Sequence, residues 1–268
     1  MTDKYAVIGN PIAHSKSPQI HMMFAEQTGQ DINYETILAP LDGFAATIER
    51  LRNDGYKGFS VTVPFKFEAF ELATELSERA QSAQAVNTLT IEGDSISGDN
   101  TDGAGLVRDI EQNLSILLKD KRVLLVGAGG AAFGVVQPLF KAGSRLSVTN
   151  RTIEKAQRMV ESFDKEHAIS IFEYSSLEDE SFDVVINATS TGLFDEMPPL
   201  PPTVFAPGAL AYDMMYGRET PFMKFAREQG AQVADGLGML VEQAAEAFNI
   251  WRGIRPNTEP VITAIRSI

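Results

Sequence analysis

Residues 122–134, Arg-Val-Leu-Leu-Val-Gly-Ala-Gly-Gly-Ala-Ala-Phe-Gly, carry the plainest chemical signal in the chain. Gly127, Gly129 and Ala132 fit G-x-G-x-x-A, the turn from a buried strand into a helix at which a dinucleotide is held by its pyrophosphate. Gly127 permits the tight turn, Gly129 lets backbone approach the phosphates, and Ala132 lets the helix pack closely on the strand. The helix start meets the anion with free N–H groups and a positive dipole end. Glycine-rich corners also exist for purely structural reasons, so context decides. The next apolar stretch, 146–149, ends at Asn150-Arg151-Thr152, roughly the twenty residues downstream at which the ribose is read. An acid there favours NAD by accepting from a 2′-hydroxyl, whereas Arg151 and Lys155 suit the 2′-phosphate of NADP.

Three earlier segments also carry chemistry. In His14-Ser15-Lys16-Ser17-Pro18 two serines flank a cation just ahead of a helix. As structure, Ser17 is the N-cap and Pro18 the first helical residue; as function, two hydroxyls and a helix start make a seat for a carboxylate. In Val61-Thr62-Val63-Pro64-Phe65-Lys66, proline ends strand pairing and puts Lys66 on the loop at the strand's carboxyl end, where ligands of open parallel sheets bind. The plainer alternative makes Lys66 a solvated charge on an amphipathic helix over 67–76. Gly98-Asp99-Asn100-Thr101-Asp102-Gly103 is a turn ahead of a helix; capping explains one acidic residue, not Asp99, Asn100 and Asp102 together.

The elements that must position these residues are those of an α/β protein. Strands over 4–8, 32–38 and 58–63 alternate with helices starting at Ser17 and Asp42, and 87–98 reads as a hairpin turning at Gly93-Asp94. From 121 to 235 strands near 122–126, 145–149, 168–172, 183–187 and 209–213 alternate with helices, as in a Rossmann half and its continuation. Asn187-Ala188-Thr189-Ser190 and Tyr212-Asp213-Met214-Met215-Tyr216 follow the last two strands, where the nicotinamide end of a dinucleotide falls. A helix presenting Leu240, Ala244, Ala247, Phe248 and Trp251, and a short helix over 259–265, close the chain.

Composition excludes several classes. The 268 residues are 44% hydrophobic and 22% charged with net charge −13, which fits a soluble globular protein and not a nucleic-acid surface. There is no cysteine, and His14, His21 and His167 lie far apart without metal-ligand spacing, so no metal is expected. No run approaches the roughly 20 apolar residues of a membrane span, and the first residues enter a strand by Tyr5 without a leader pattern, so a cytoplasmic protein is expected.

In the order in which they occur, the segments quoted above, with Ala85-Val86-Asn87-Thr88 and Asp235-Gly236-Leu237-Gly238-Met239-Leu240, resemble the shikimate dehydrogenases, from the first strand to Trp251-Arg252-Gly253. The resemblance implies NADPH-dependent reduction of 3-dehydroshikimate to shikimate on the route to chorismate and the aromatic amino acids. It implies two α/β domains, a substrate domain of 1–101 and 237–268 and a Rossmann-type NADP domain of 102–236, with the site in the cleft of a monomer or homodimer. Carried onto matching positions, Ser15 and Ser17 hold the carboxylate, Thr62, Lys66, Asn87 and Asp102 the ring hydroxyls, and Tyr216 and Gln243 complete the pocket. Gly127, Ala128, Gly129, Gly130 and Ala131 wrap the pyrophosphate. Asn150, Arg151, Thr152 and Lys155 take the 2′-phosphate, and Met214 and Gly236 the nicotinamide side.

Hydride transfer to a ketone develops an alkoxide that must gain a proton. Lys66 can donate that proton and stabilise the charge, with Asp102 holding it in place; Lys66 and Asp102 are therefore the catalytic candidates. Burial favours a neutral amine and a carboxylate partner favours the ammonium, so the two effects compete. Two positions depart from the family's habit: Ser60 stands where Asn is common, and Phe133 where a basic residue is. Relatives accepting quinate commonly use NAD, against which Arg151 speaks. A quinate/shikimate dehydrogenase, a weakly active paralogue and a nucleotide-binding protein without turnover are the alternatives.

Overall fold

The computed structural model describes residues 2–163 and 168–267, so His167 lies outside the described residues. The chain forms two compact units, Met1–Gly105 with Leu240–Ile268, and Leu106–Met239. Both boundaries fall inside helices, a few residues from the turns at which the sequence places them.

The first unit carries a six-stranded mixed sheet built from β1 (Asp3–Gly9), β2 (Ile32–Leu38), β3 (Tyr56–Val61), β4 (Glu75–Leu76), β5 (Thr88–Glu92) and β6 (Ser95–Asp99), in the order β2-β1-β3-β5-β6-β4. Its helices are α1 (Ser17–Thr28), α2 (Phe44–Asn53), α3 (Lys66–Leu72), α4 (Glu78–Ala83) and α5 (Asp102–Arg108), then α9 (Leu237–Arg252) and α10 (Glu259–Arg266) from the end of the chain. Side chains alternate along a strand, so each strand feeds two layers. Ala6, Ile8, Phe59, Val61, Leu89 and Ile91 face α2 and α3 in one apolar cluster with Phe44, Ile48, Phe65 and Ala69. An aromatic group, Tyr5, His21, Phe24, Tyr34, Phe248 and Trp251, brings α1 and α9 together elsewhere in the unit. Gly58 admits the indole: a Cβ there would meet Trp251 Nε1 at 2.6 Å, and that nitrogen donates to the Leu89 carbonyl at 3.1 Å.

The second unit is an all-parallel sheet of β7 (Arg122–Val126), β8 (Arg145–Thr149), β9 (Ser170–Phe172), β10 (Phe182–Asn187), β11 (Phe205–Asp213) and β12 (Gln232–Asp235), ordered β12-β11-β10-β7-β8-β9. This is the doubly wound order, with its switch point between β7 and β10. Both faces are covered, as parallel sheets require: Val123 and Leu125 pack with α6 (Gly130–Lys141) and α7 (Ile153–Glu161), Leu124 and Val126 with α8 (Pro221–Glu228). No described helix is long and apolar enough to cross a membrane.

Several local expectations are corrected. Lys16, not Ser17, occupies the N-cap of α1, and the Ser15 hydroxyl accepts the Ser17 N–H at 3.3 Å. Lys66 is not on a loop: Pro64 ends pairing at Val61, a turn closes from Phe65 N–H to the Thr62 carbonyl, and α3 starts at Lys66 and stops at Leu72 because Glu75–Leu76 joins β6. No α-helix connects β9 to β10 or β10 to β11; short 3-10 turns do, and Pro198, Pro199, Pro201 and Pro202 forbid a helix in the second connection. Strand β12 is too short to show a period and exists by pairing with β11.

His21 is fully buried, stacked on Tyr34 with centroids 4.1 Å apart, and neither ring nitrogen has a hydrogen-bond partner. Burial lowers its pKa from 6.5 to about 3, so the folded imidazole is neutral. Its contribution to stability is full above pH 6.5 and is lost as pH falls towards 3, by roughly 1.4 kcal/mol per unit. Urea unfolding at pH 7.5 and 5.5 should therefore show a pH effect smaller by about 1.4 kcal/mol in His21→Leu than in the parent; equal effects would refute the assignment.

Candidate active site

The first unit gathers three of the singled-out side chains, Lys66, Asn87 and Gln243, around Asp102. Its Oδ2 accepts from Lys66 Nζ at 2.5 Å and its Oδ1 from Asn87 Nδ2 at 2.8 Å. Asn87 Nδ2 also lies 3.3 Å from Gln243 Oε1, and Gln243 Nε2 donates to the Leu240 carbonyl at 2.8 Å, which fixes the amide of that α9 residue. Side-chain exposure is 19% for Lys66 and 10% for Asp102, so the ion pair is largely removed from water.

Backbone pairing explains why these residues meet. Lys66 opens α3, and its carbonyl accepts from Val86 N–H at 2.9 Å, which seats the helix start beside the segment entering β5. Asn87 bridges strands: its carbonyl accepts from Val61 N–H at 2.7 Å and its N–H donates to the Asp99 carbonyl at 3.0 Å. The Asn87 side-chain oxygen accepts from Thr101 N–H at 2.9 Å and from the Thr88 hydroxyl at 2.9 Å. Asn100 Oδ1 in turn accepts the Asp102 N–H at 3.2 Å, capping α5 and leaving the Asp102 carboxylate free for Lys66.

Asp99 has a separate task. It accepts from Ser77 at 2.6 Å and from Arg79 at 3.0 and 2.7 Å. Burial by itself raises the Asp99 carboxyl, but these hydrogen bonds and the Arg79 charge hold it below the usual range. Arg79 continues to Glu246 at 2.9 Å, and Arg255 joins Glu246 to the buried Glu242, so charged hydrogen bonds tie the segment before Asp102 to α9.

Ser15, Ser17 and Thr62 follow the carboxyl ends of the adjacent parallel strands β1 and β3. Thr62 N–H donates to the Ile8 carbonyl at 2.9 Å, and Gly9 leaves room for the Thr62 methyl, which a Cβ would meet at 2.5 Å. None of the three is hydrogen-bonded to the Lys66 group. Tyr216 belongs to the second unit, and burial raises its phenol pKa. Ser60 is buried, its hydroxyl accepting from Tyr34 at 2.7 Å.

In the second unit a cavity of about 570 Å³ opens where β7 and β10 part. Its floor is Gly127 to Ala131, its sides Asn150, Arg151, Thr152 and Lys155 against Ala188 to Thr191. Gly127 has φ +117° and a Cβ would press on the Ala188 carbonyl carbon at 3.2 Å, so only glycine closes this corner. At Gly129 nothing lies within 4 Å of a Cβ, leaving bare backbone facing open space at the start of α6. Arg151 and Lys155 are exposed and have no ion-pair partner among the described residues. Met214 and Gly236 do not line the cavity; Met214 N–H donates to the Asn187 carbonyl and Gly236 N–H to the Met215 carbonyl, which ties the β11 and β12 ends together. Phe133 packs towards Phe163, 6.2 Å between centroids, and into the apolar layer. Tyr174, Phe194 and Glu196 also line the cavity, and no sequence pattern marks them. No cluster of metal-ligating side chains occurs among the described residues.

These units match known proteins. Residues 7–89 match the shikimate dehydrogenase substrate binding domain, 109–194 the shikimate / quinate 5-dehydrogenase family and 236–266 the shikimate 5′-dehydrogenase C-terminal domain. The chain is 59% identical over 268 residues to shikimate dehydrogenase (NADP(+)) of Methylobacillus flagellatus, covering 99% of each. Among solved structures, an Ael1 enzyme from Pseudomonas putida superposes with TM-score 0.94 at 49% identity, covering 98% of both chains. Shikimate 5-dehydrogenase from Thermus thermophilus, in complex with NADP(H) and shikimate, superposes with TM-score 0.90 at 31% identity, covering 99% of both.

Replacing Asn87 by Ala removes a donor to Asp102 and the acceptor of a buried N–H at once. A stability loss of about 1–3 kcal/mol is expected in urea unfolding; a loss within about 0.5 kcal/mol of zero, on the order of an ordinary surface change, would mean that the neighbours find other partners.

Proposed function

The chain belongs to the shikimate dehydrogenase family, and we propose from that premise that it interconverts 3-dehydroshikimate and shikimate with NADP(H), as a cytoplasmic enzyme of aromatic biosynthesis. The observation that carries this reading is the partly buried Lys66–Asp102 pair, held through Asn87 and Thr101 and placed at the carboxyl end of a sheet. A non-catalytic nucleotide-binding protein has no need of it.

In this reading the first unit is the substrate domain and the second the cofactor domain. Bare glycine backbone, a helix start and two unpaired cations are what a pyrophosphate and a 2′-phosphate require, and the β7–β10 switch point offers all three in one cavity. NADPH, when bound, supplies the hydride. Ser15 and Ser17 take the substrate carboxylate with their hydroxyls. Thr62, Asn87 and Gln243 orient the ring hydroxyls. Lys66 donates to the carbonyl oxygen as that oxygen gains charge, and passes it a proton, so that a C–H and an O–H bond replace the π bond of the carbonyl while its C–O single bond is kept. Asp102 keeps the Lys66 nitrogen aimed, because its other oxygen is locked by Asn87. Met214 and Gly236 support the nicotinamide side through the strand ends that they join.

Steady-state rates with shikimate and quinate, each with NADP and NAD, test the reading. Shikimate with NADP should be the preferred pair, and Lys66→Ala should lower its turnover by about 10²–10⁴ with a smaller change in shikimate affinity. Comparable efficiency on quinate would overturn the substrate assignment, and near-normal turnover in the variant would make Lys66 a binding residue only.

Arg151 can pair with a phosphate through two parallel hydrogen bonds, whereas Lys155 is a point charge. Because Phe133 turns into the core, no further cation follows the glycine-rich turn. Arg151→Ala should weaken NADP binding roughly ten- to hundredfold, the equivalent of one charge-assisted contact, and leave NAD nearly unchanged. A variant preferring NADP as strongly as its parent would place the phosphate elsewhere.

A further inference from the structure

We propose that Tyr174 holds the adenine ring in this cavity by stacking. The proposal rests on the reading that the cavity takes NADP. Strands β8 and β9 run parallel with Thr149 opposite Phe172, so Arg151 and Tyr174 leave the sheet at one edge, each two residues past that paired position. Tyr174 then starts a 3-10 turn, closed by Leu177 N–H on its carbonyl at 3.3 Å and pinned by the fully buried Leu177 side chain. The phenol is thereby set by backbone pairing and by a core residue.

The ring is half-buried, with part of it against the apolar layer beneath β10 and part lining the cavity. Its hydroxyl has no hydrogen-bond partner among the described residues. Burial pushes the phenol up to about 12 while the Arg151 charge opposes that rise, so the two side chains share one electrostatic environment. Yet no cation–π contact joins them among the described residues. Two flat groups, one aromatic and one cationic, thus line the same end of a cavity without covering each other. A purine fits that pair: an aromatic face stacks on its π surface and a guanidinium can lie against it too. Of the two, Arg151 would read the phosphate, together with Lys155, and Tyr174 would read the base.

The test is equilibrium binding of NADPH and of 2′,5′-ADP, which has the adenine and the 2′-phosphate but no nicotinamide, to the full chain and its variants. Tyr174→Ala and Tyr174→Leu should each weaken both ligands about ten- to hundredfold, the cost of losing one base–aromatic stack, and Tyr174→Phe should stay within about threefold of the parent. The ratio of NADPH to NADH affinity should be unchanged in Tyr174→Ala, in contrast to Arg151→Ala. Binding by Tyr174→Leu like the parent would show that bulk suffices and overturn stacking. So would a loss in Tyr174→Phe as large as in Tyr174→Ala, which would assign the hydroxyl to a phosphate. So would a loss confined to NADPH. A parent that binds neither ligand would instead overturn the reading of the cavity itself.

Discussion

A lysine ammonium and an aspartate carboxylate drawn largely out of water must be compensated by each other and by fixed donors, or the fold does not tolerate them. That constraint organises the first unit. Asp102 spends one oxygen on Lys66 and the other on Asn87, and Asn87 has its own oxygen filled by Thr88 and Thr101. The compensation reaches outward through Asp99, Arg79 and Glu246 to Arg255 and Glu242, so that α9 braces the loop preceding Asp102. Removing one member of such a network costs more than the network contributes, because its partner is left buried and unpaired.

The second unit does the opposite with its charges. Arg151 and Lys155 remain exposed, with no ion-pair partner among the described residues, beside bare glycine backbone, an arrangement that adds nothing to the apoprotein's stability. Cations beside a helix start meet a like-signed dipole end, a small repulsion that an arriving anion would offset. Behind this edge Asp213 accepts from Thr220, Met215 N–H and Asn187, although burial still raises its carboxyl above the usual range.

The two departures from family habit have local explanations. Ser60 is short enough to lie beneath Tyr34 and accept its hydroxyl, a buried bond that joins β3 to the layer containing His21. Phe133 exchanges a charge at the cavity for apolar packing against Phe163.

By itself the sequence determined the α/β class, the doubly wound half and the identity of the chemical groups, because each of these is written in short range. The run Val123 to Val126, the glycines after it and the absence of an acid at 150–152 are local facts whose consequences hold in any parallel sheet. Prolines and glycines likewise set where α1 ends and where β3 stops pairing. What only the tertiary structure decided is which groups meet. Lys66 and Asp102, which only the family resemblance brings together in advance, lie 36 residues apart, and Arg79 and Glu246 167 apart; no period or spacing encodes either pair. Tyr174 follows a three-residue strand in a stretch without a pattern, and only the register of β9 on β8 brings it to the edge that Arg151 occupies. Even at the start of α1 the serine roles differ from the local pattern, since the Ser15 hydroxyl, not that of Ser17, accepts a helix-start N–H. Side-chain type is a local property, but the partner that satisfies a buried charge is chosen by chain topology.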